Sequence, residues 1–191
     1  MQGRQCREMK NSMTKVQVIQ TSAPKAVEAI LKKLLVDTCL TAIHYAAGFR
    51  VEFSRTGPPP DPTLPMVVWL TMRSQWWVGE KETWEVLLHK ALLPYSGAEP
   101  EEPMQAYALI CLNGARIENV VLHDNSTLTL VTSYAEMHLS GKDATFEESW
   151  IVDVPPEVPN HELWSVVCSD TGELFGRQPV SEKVLTTLDC G

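Results

Sequence analysis

At 191 residues, 44% of them apolar and 21% charged, the chain has the balance of a globular protein and enough length for one substantial domain or two small related ones. No apolar run approaches the roughly eighteen residues of a membrane-spanning helix. The net charge of −8 is unevenly divided: residues 1–33 carry seven Lys/Arg against two Asp/Glu, and residues 34–191 carry nine against twenty-two. An acidic body of this kind disfavours nucleic acid and anionic membrane and attracts a basic partner at long range.

The opening stretch MQGRQCREMKNSMTKVQ is polar and lacks the apolar centre of a secretory signal, so a cytosolic protein is expected; Met13 is an alternative start, with residues 1–12 an upstream extension. KVQVIQ (15–20) alternates briefly, as a short strand or arm. TSAPKAVEAILKKLLVD then predicts an amphipathic helix over about 22–36, capped by Thr21 or Ser22, with Pro24 in its first turn and Val27, Ile30, Leu31, Leu34 and Leu35 as one apolar stripe. From residue 38 the period changes to two, and LTAIHYAAGFRVEFSR predicts a hairpin. TGPPPDPTLP (56–65) is a loop, because its prolines remove donors and restrict φ. MVVWLTMRSQWWVG and ETWEVLLH are expected as strands, and PYSGAEPEEP (94–103) as a break between halves.

Beyond the break, YALICLNGARIENVVLHDNSTLTLVTS predicts strands, with a tight turn at Asp124-Asn125. AEMHLSG and ESWIVDVP continue as strands. ELWSVVCSDTGELFG predicts a hairpin around Ser169–Gly172, and VSEKVLTTL a short carboxy-terminal helix capped by Ser181. The halves can be overlaid: residues 69–84 (WLTMRSQWWVGEKETW) and 135–150 (AEMHLSGKDATFEESW) have equal length and both end in Glu-x-Trp, so a duplicated β-meander is expected, with Trp84 and Trp150 as equivalent core residues. The expected fold class is α+β, mainly antiparallel, with an amphipathic amino-terminal helix. Its segments are an arm (1–20), the helix plus a first β unit (21–95), a second β unit (104–178) and a tail or short helix (179–191).

Trp76 and Trp77 are adjacent, so in extended chain their rings face opposite ways. They fall in the hairpin-turn region of the first half, and the second half has no counterpart. One ring is therefore surplus to a shared core and available either to pack beneath the helix or proline loop or to meet a partner.

The pattern formed by Leu112, Gly114, Ile117, Val120, Leu128, Leu130, Glu148 and Trp150 resembles a group of small bacterial β-rich proteins of unassigned function, some of immunity type beside secreted toxins. The resemblance covers about residues 109–176, with a weaker echo over 38–88. It implies a non-enzymatic protein that neutralises another protein. The proline loop and the Trp76-Trp77 pair depart from that pattern, so the partner's identity does not carry over.

Catalytic and metal signatures give little. Asp170-Thr171-Gly172 matches an aspartic-protease tripeptide, but those sites need two carboxylates sharing a proton and no second copy exists; a turn is the simpler reading. The five histidines show no metal spacing, although His44 and His138 could meet across equivalent strands. Five scattered cysteines without a CxxC pair suggest buried thiols, and no glycine loop suits a phosphate. Asn125-Ser126-Thr127 is a formal glycosylation acceptor, without meaning in a bacterial cytosolic protein.

No cofactor or metal is therefore expected. The expected function is a binding protein of immunity or inhibitor type for a basic partner such as a toxin, acting through Trp76, Trp77, Glu80, Glu82, Glu99, Glu101 and Glu102. The alternatives are a small-ligand binder or enzyme with a tryptophan-lined pocket between the β units, a phage-encoded inhibitor of a host defence complex, and a homodimeric structural subunit.

Overall fold

The computed structural model describes residues 18–45, 48–92, 101–142, 146–158 and 161–179. The arm before residue 18, Glu99, the side chain of Glu101 and the expected carboxy-terminal helix lie outside the described residues.

In chain order the elements are β1 (Val18–Thr21), α1 (Pro24–Leu35), β2 (Thr38–Tyr45), β3 (Phe49–Arg55), β4 (Val67–Met72), β5 (Trp76–Val78), α2 (Lys81–Leu92) and α3 (Glu101–Cys111). There follow β6 (Ile117–Leu122), β7 (Leu128–Thr132), β8 (Glu136–Leu139), β9 (Glu148–Asp153), a 3-10 turn (His161–Leu163), β10 (Ser165–Ser169) and β11 (Leu174–Pro179). They make an α+β fold dominated by two antiparallel sheets. One sheet has seven strands in the order β1-β11-β10-β9-β4-β3-β2, the other four in the order β5-β8-β7-β6. No helix among the described residues is long and apolar enough to cross a membrane.

Helix α1 buries Val27, Ile30, Leu31, Leu34 and Leu35 and lies against β6, β10 and β11. It can approach closely because β11 offers Gly176, where a Cβ would stand 2.9 Å from Ile30 Cδ1. Its cap residue is Ala23, not Thr21 or Ser22, and makes no side-chain cap; Thr21 Oγ1 instead accepts from the Ala23 amide at 3.2 Å. The other end is closed from a distance. The Arg55 guanidinium donates to the carbonyls of Lys33, Leu34, Val36 and Pro65, satisfying acceptors that the last turn cannot. Asp37 then turns the chain at φ 65°, a left-handed conformation Asp tolerates better than most residues.

Two segments expected as strands are helices. ETWEVLLH lies in α2, where Trp84 and Leu88, four apart, turn inward while Val86 and Leu87 are exposed. YALIC lies in α3, where buried Gln105 and Leu109 are likewise four apart; Leu112 follows, and Gly114 leaves the helix at φ 79°. Short apolar runs do not by themselves distinguish the two periods. Cys111, expected to be buried, is consequently exposed on α3, whereas Cys168 is buried in β10. Helix α3 begins at Glu101, inside the segment expected as a break.

Strands from both sides of that break are interleaved: β4 pairs with β9, and β5 with β8. Trp84 and Trp150 are both buried but are not equivalent, for Trp84 is on a helix and Trp150 is the central-strand neighbour of Met72 and Cys168. His44, paired with Arg50 in the seven-stranded sheet, does not meet His138 of the four-stranded one.

The chain crosses between sheets at Arg73–Gln75. The amides of Arg73 and Ser74 both donate to Ser149 O, Arg73 pairs with Glu148, and the Ser74 hydroxyl donates to Ser140 O at 2.7 Å. Trp76 follows in a strand, not a hairpin turn, and points into the core. Its ring meets Phe49 edge-on at 5.7 Å and Trp84 at 5.8 Å. The two adjacent tryptophans should therefore respond differently to truncation. Trp76→Ala is expected to cost about 3–5 kcal/mol through the cavity it leaves, and Trp77→Ala about 1 kcal/mol from a lost stacking pair. Urea unfolding of both variants checks this, and equal losses would contradict it.

Candidate functional site

The outer face of the four-stranded sheet carries the most organised polar cluster among the described residues. Strand register sets Trp77 opposite His138, His138 opposite Thr129, and Thr129 opposite Val121. Residues directly opposite in an antiparallel pair share a face, so these four form a row across all four strands. The Trp77 ring stacks on the His138 imidazole at 5.3 Å with planes 22° apart, and Lys81 Nζ lies 5.0 Å from the Trp77 centroid.

A second histidine reaches the row from the β6–β7 turn. His123 Nε2 and His138 Nδ1 each lie 2.9 Å from the Thr129 hydroxyl, which is itself buried. His138 Nε2 faces Glu136 Oε2 at 3.7 Å. Burial holds the His138 imidazole below its ordinary pKa; the Glu136 carboxylate opposes this and His123 adds to it.

Of the residues expected to meet a partner, Trp77, Glu80 and Glu82 are grouped where β5 runs into α2. Trp77 is half-buried, and Glu80 and Glu82 are exposed. Trp76 belongs to the core and not to a surface. Glu102 is exposed on a different element, α3. His123, Thr129, Glu136 and His138 were not expected as a group. The alternating TLTL and EMHL segments place Thr129 and His138 on defined faces of their own strands, but their proximity depends on inter-strand register.

A different arrangement occupies the outer face of the seven-stranded sheet. Arg50 lies over the Trp69 ring at 4.6 Å and donates from Nε to Thr71 Oγ1, while Trp69 Nε1 donates to Glu52 at 3.4 Å. Asp153, opposite Trp69 in register, has a buried Oδ1 without a hydrogen-bond partner among the described residues. Burial raises its carboxyl above the ordinary value, against the opposing effects of Arg50 and a backbone hydrogen bond.

Asp170-Thr171-Gly172 forms the β10–β11 turn, with Gly172 at φ 85°. The Cys168 thiol is pushed up to about 12 by burial, which removes it as a nucleophile at neutral pH. Among the described residues no group of three or more His, Cys, Asp or Glu side chains could hold a metal ion. Trp76, Trp84 and Trp150 are packed into the core. Comparison with protein-family models, curated proteins and solved structures finds no match to this chain.

The Asp153 carboxyl carries a pH signature of defined sign. An unfolded aspartate releases its proton near pH 4, and the folded chain releases this one at a higher pH. The stability linked to this group is therefore full below about pH 4 and is lost as pH rises through the folded value. Asp153→Asn should remove that loss, so its urea midpoint relative to wild type should be higher at pH 7 than at pH 4. A difference that stays constant between the two would contradict burial as the cause.

Proposed function

We propose that the protein is a non-enzymatic binding protein that engages a basic protein partner through the Trp77 face of the four-stranded sheet and the acidic start of α2, in the manner of an immunity or inhibitor protein. The observation that carries this reading is the placement of Trp77: a large outward ring held between His138 and Lys81, beside exposed Glu80 and Glu82. An aromatic side chain already held in place loses little conformational freedom on binding, which is what an interface anchor requires. The acidic surplus over residues 34–191 supplies long-range attraction for a cationic partner and raises the encounter rate. The resemblance of residues 109–176 to small bacterial β-rich proteins of unassigned function, some of immunity type, is compatible with this reading.

Retention of binding partners on tagged wild type, Trp77→Ala and Glu80→Lys/Glu82→Lys, compared side by side, tests the proposal. A single basic protein held by wild type should bind the Trp77 variant about thirtyfold or more weakly, corresponding to about 2 kcal/mol for an anchor. The charge-reversed variant should lose association rate and salt sensitivity. Equal retention by a folded Trp77→Ala variant would move the interface elsewhere.

A further inference from the structure

The Thr129 hydroxyl sits 2.9 Å from one nitrogen of each of two imidazoles and is buried between them. A hydroxyl has one hydrogen to donate and lone pairs to accept with. It therefore donates to one ring and accepts N–H from the other, and the two neutral histidines are tied to complementary tautomers. If His123 Nε2–H donates to Thr129, Thr129 donates to His138 Nδ1, and the proton of His138 is on Nε2, facing Glu136 Oε2 at 3.7 Å. If the chain runs in reverse, His138 Nδ1–H donates to Thr129, which donates to His123 Nε2.

One added proton is compatible with either direction, because an imidazolium still donates to Thr129 while Thr129 donates to the remaining neutral ring. A second is not. Two imidazolium rings would both donate to the hydroxyl oxygen, leaving the hydroxyl hydrogen no acceptor in this row and two positive charges across one buried oxygen.

We propose that His123 and His138 hold a single proton between them through Thr129, making the Trp77 face a surface whose charge changes by one in mildly acidic conditions. The charged and titratable groups around the pair among the described residues include Glu136 on the same strand as His138, Lys81 beyond the Trp77 ring, and Asp124 and Glu173, which line one cavity with His123. The Glu136 carboxylate offsets the first positive charge and is too exposed to offset a second. The His138 imidazole is lowered mainly by burial, and the neighbouring His123 adds to that fall in the direction that competition for one proton requires.

For the partner reading, and resting on it, the consequence is a binding face that gains positive charge on acidification and releases a cationic partner. The proton sharing itself is tested on the protein alone. Imidazole resonances followed by NMR from pH 8.5 to 4.5 should show the pair titrating in two macroscopic steps more than about one pH unit apart. Both rings should respond in the first step, with ring-nitrogen shifts that report complementary tautomers at high pH. Thr129→Val should bring the steps together and release the tautomers, and His123→Gln should raise the His138 midpoint.

Independent single-step curves for the two rings, unaltered by Thr129→Val, would overturn the proposal. If Thr129→Val does not fold, an unchanged His138 midpoint in His123→Gln overturns it equally. Two-step titration with partner retention unchanged between pH 7.5 and 5.5 would uphold the shared proton and place the partner surface elsewhere.

Discussion

Two backbone amides, those of Arg73 and Ser74, converge on the carbonyl of Ser149, and the arrangement of both sheets depends on that corner. It ends the run of β4 beside β9 and starts the chain toward β5 beside β8. The Arg73–Glu148 ion pair and the Ser74 hydroxyl on Ser140 O secure it from either side. Once β5 is docked, strand geometry leaves no freedom to its first two residues: Trp76 goes inward and Trp77 outward. The core aromatic cluster and the surface row are thus two results of one chain crossing.

The same economy holds at the far end of α1. Arg55 is on a β-strand, yet its guanidinium satisfies four carbonyls of the helix end and the proline loop. Burial lowers its pKa, the nearby Asp37 opposes that, and the guanidinium stays charged because its intrinsic pKa is so high. A lysine could not span these acceptors with a planar fork. Helix, hairpin and loop are joined by one side chain, and α1 is held with its apolar stripe over β6, β10 and β11.

Each sheet carries a polar cluster on its outer face, and the two clusters differ in kind. On the seven-stranded sheet, Arg50 lies over the Trp69 ring and Trp69 donates to Glu52, while one buried oxygen of Asp153 has no hydrogen-bond partner among the described residues. On the four-stranded sheet, the histidines, Thr129 and Trp77 form a connected row whose hydrogen-bond direction can reverse. In the first, the Asp153 carboxyl is raised above its ordinary value on its own, whereas in the second, as proposed above, a proton is shared along a connected row. This difference is why the Trp77 face, rather than the larger sheet, is favoured as the surface that responds to its surroundings.

What the sequence determined by itself was local. Periodicity marked the stripe Val27, Ile30, Leu31, Leu34 and Leu35 that α1 buries, alternation marked the hairpins of β2–β3 and β6–β7, and adjacency alone required Trp76 and Trp77 to part. Tertiary structure decided the rest, because the remaining features depend on partners distant in the chain. The runs around Trp84 and Leu109 are too short to declare their period, and packing made them helices. The likeness of residues 69–84 to 135–150 reflected spacing and not equivalent position, since Trp84 and Trp150 entered one core from a helix and a strand. His123, Thr129 and His138 became a unit only when β7 and β8 paired in one register, and a shift of one residue would have turned Thr129 and His138 to opposite faces.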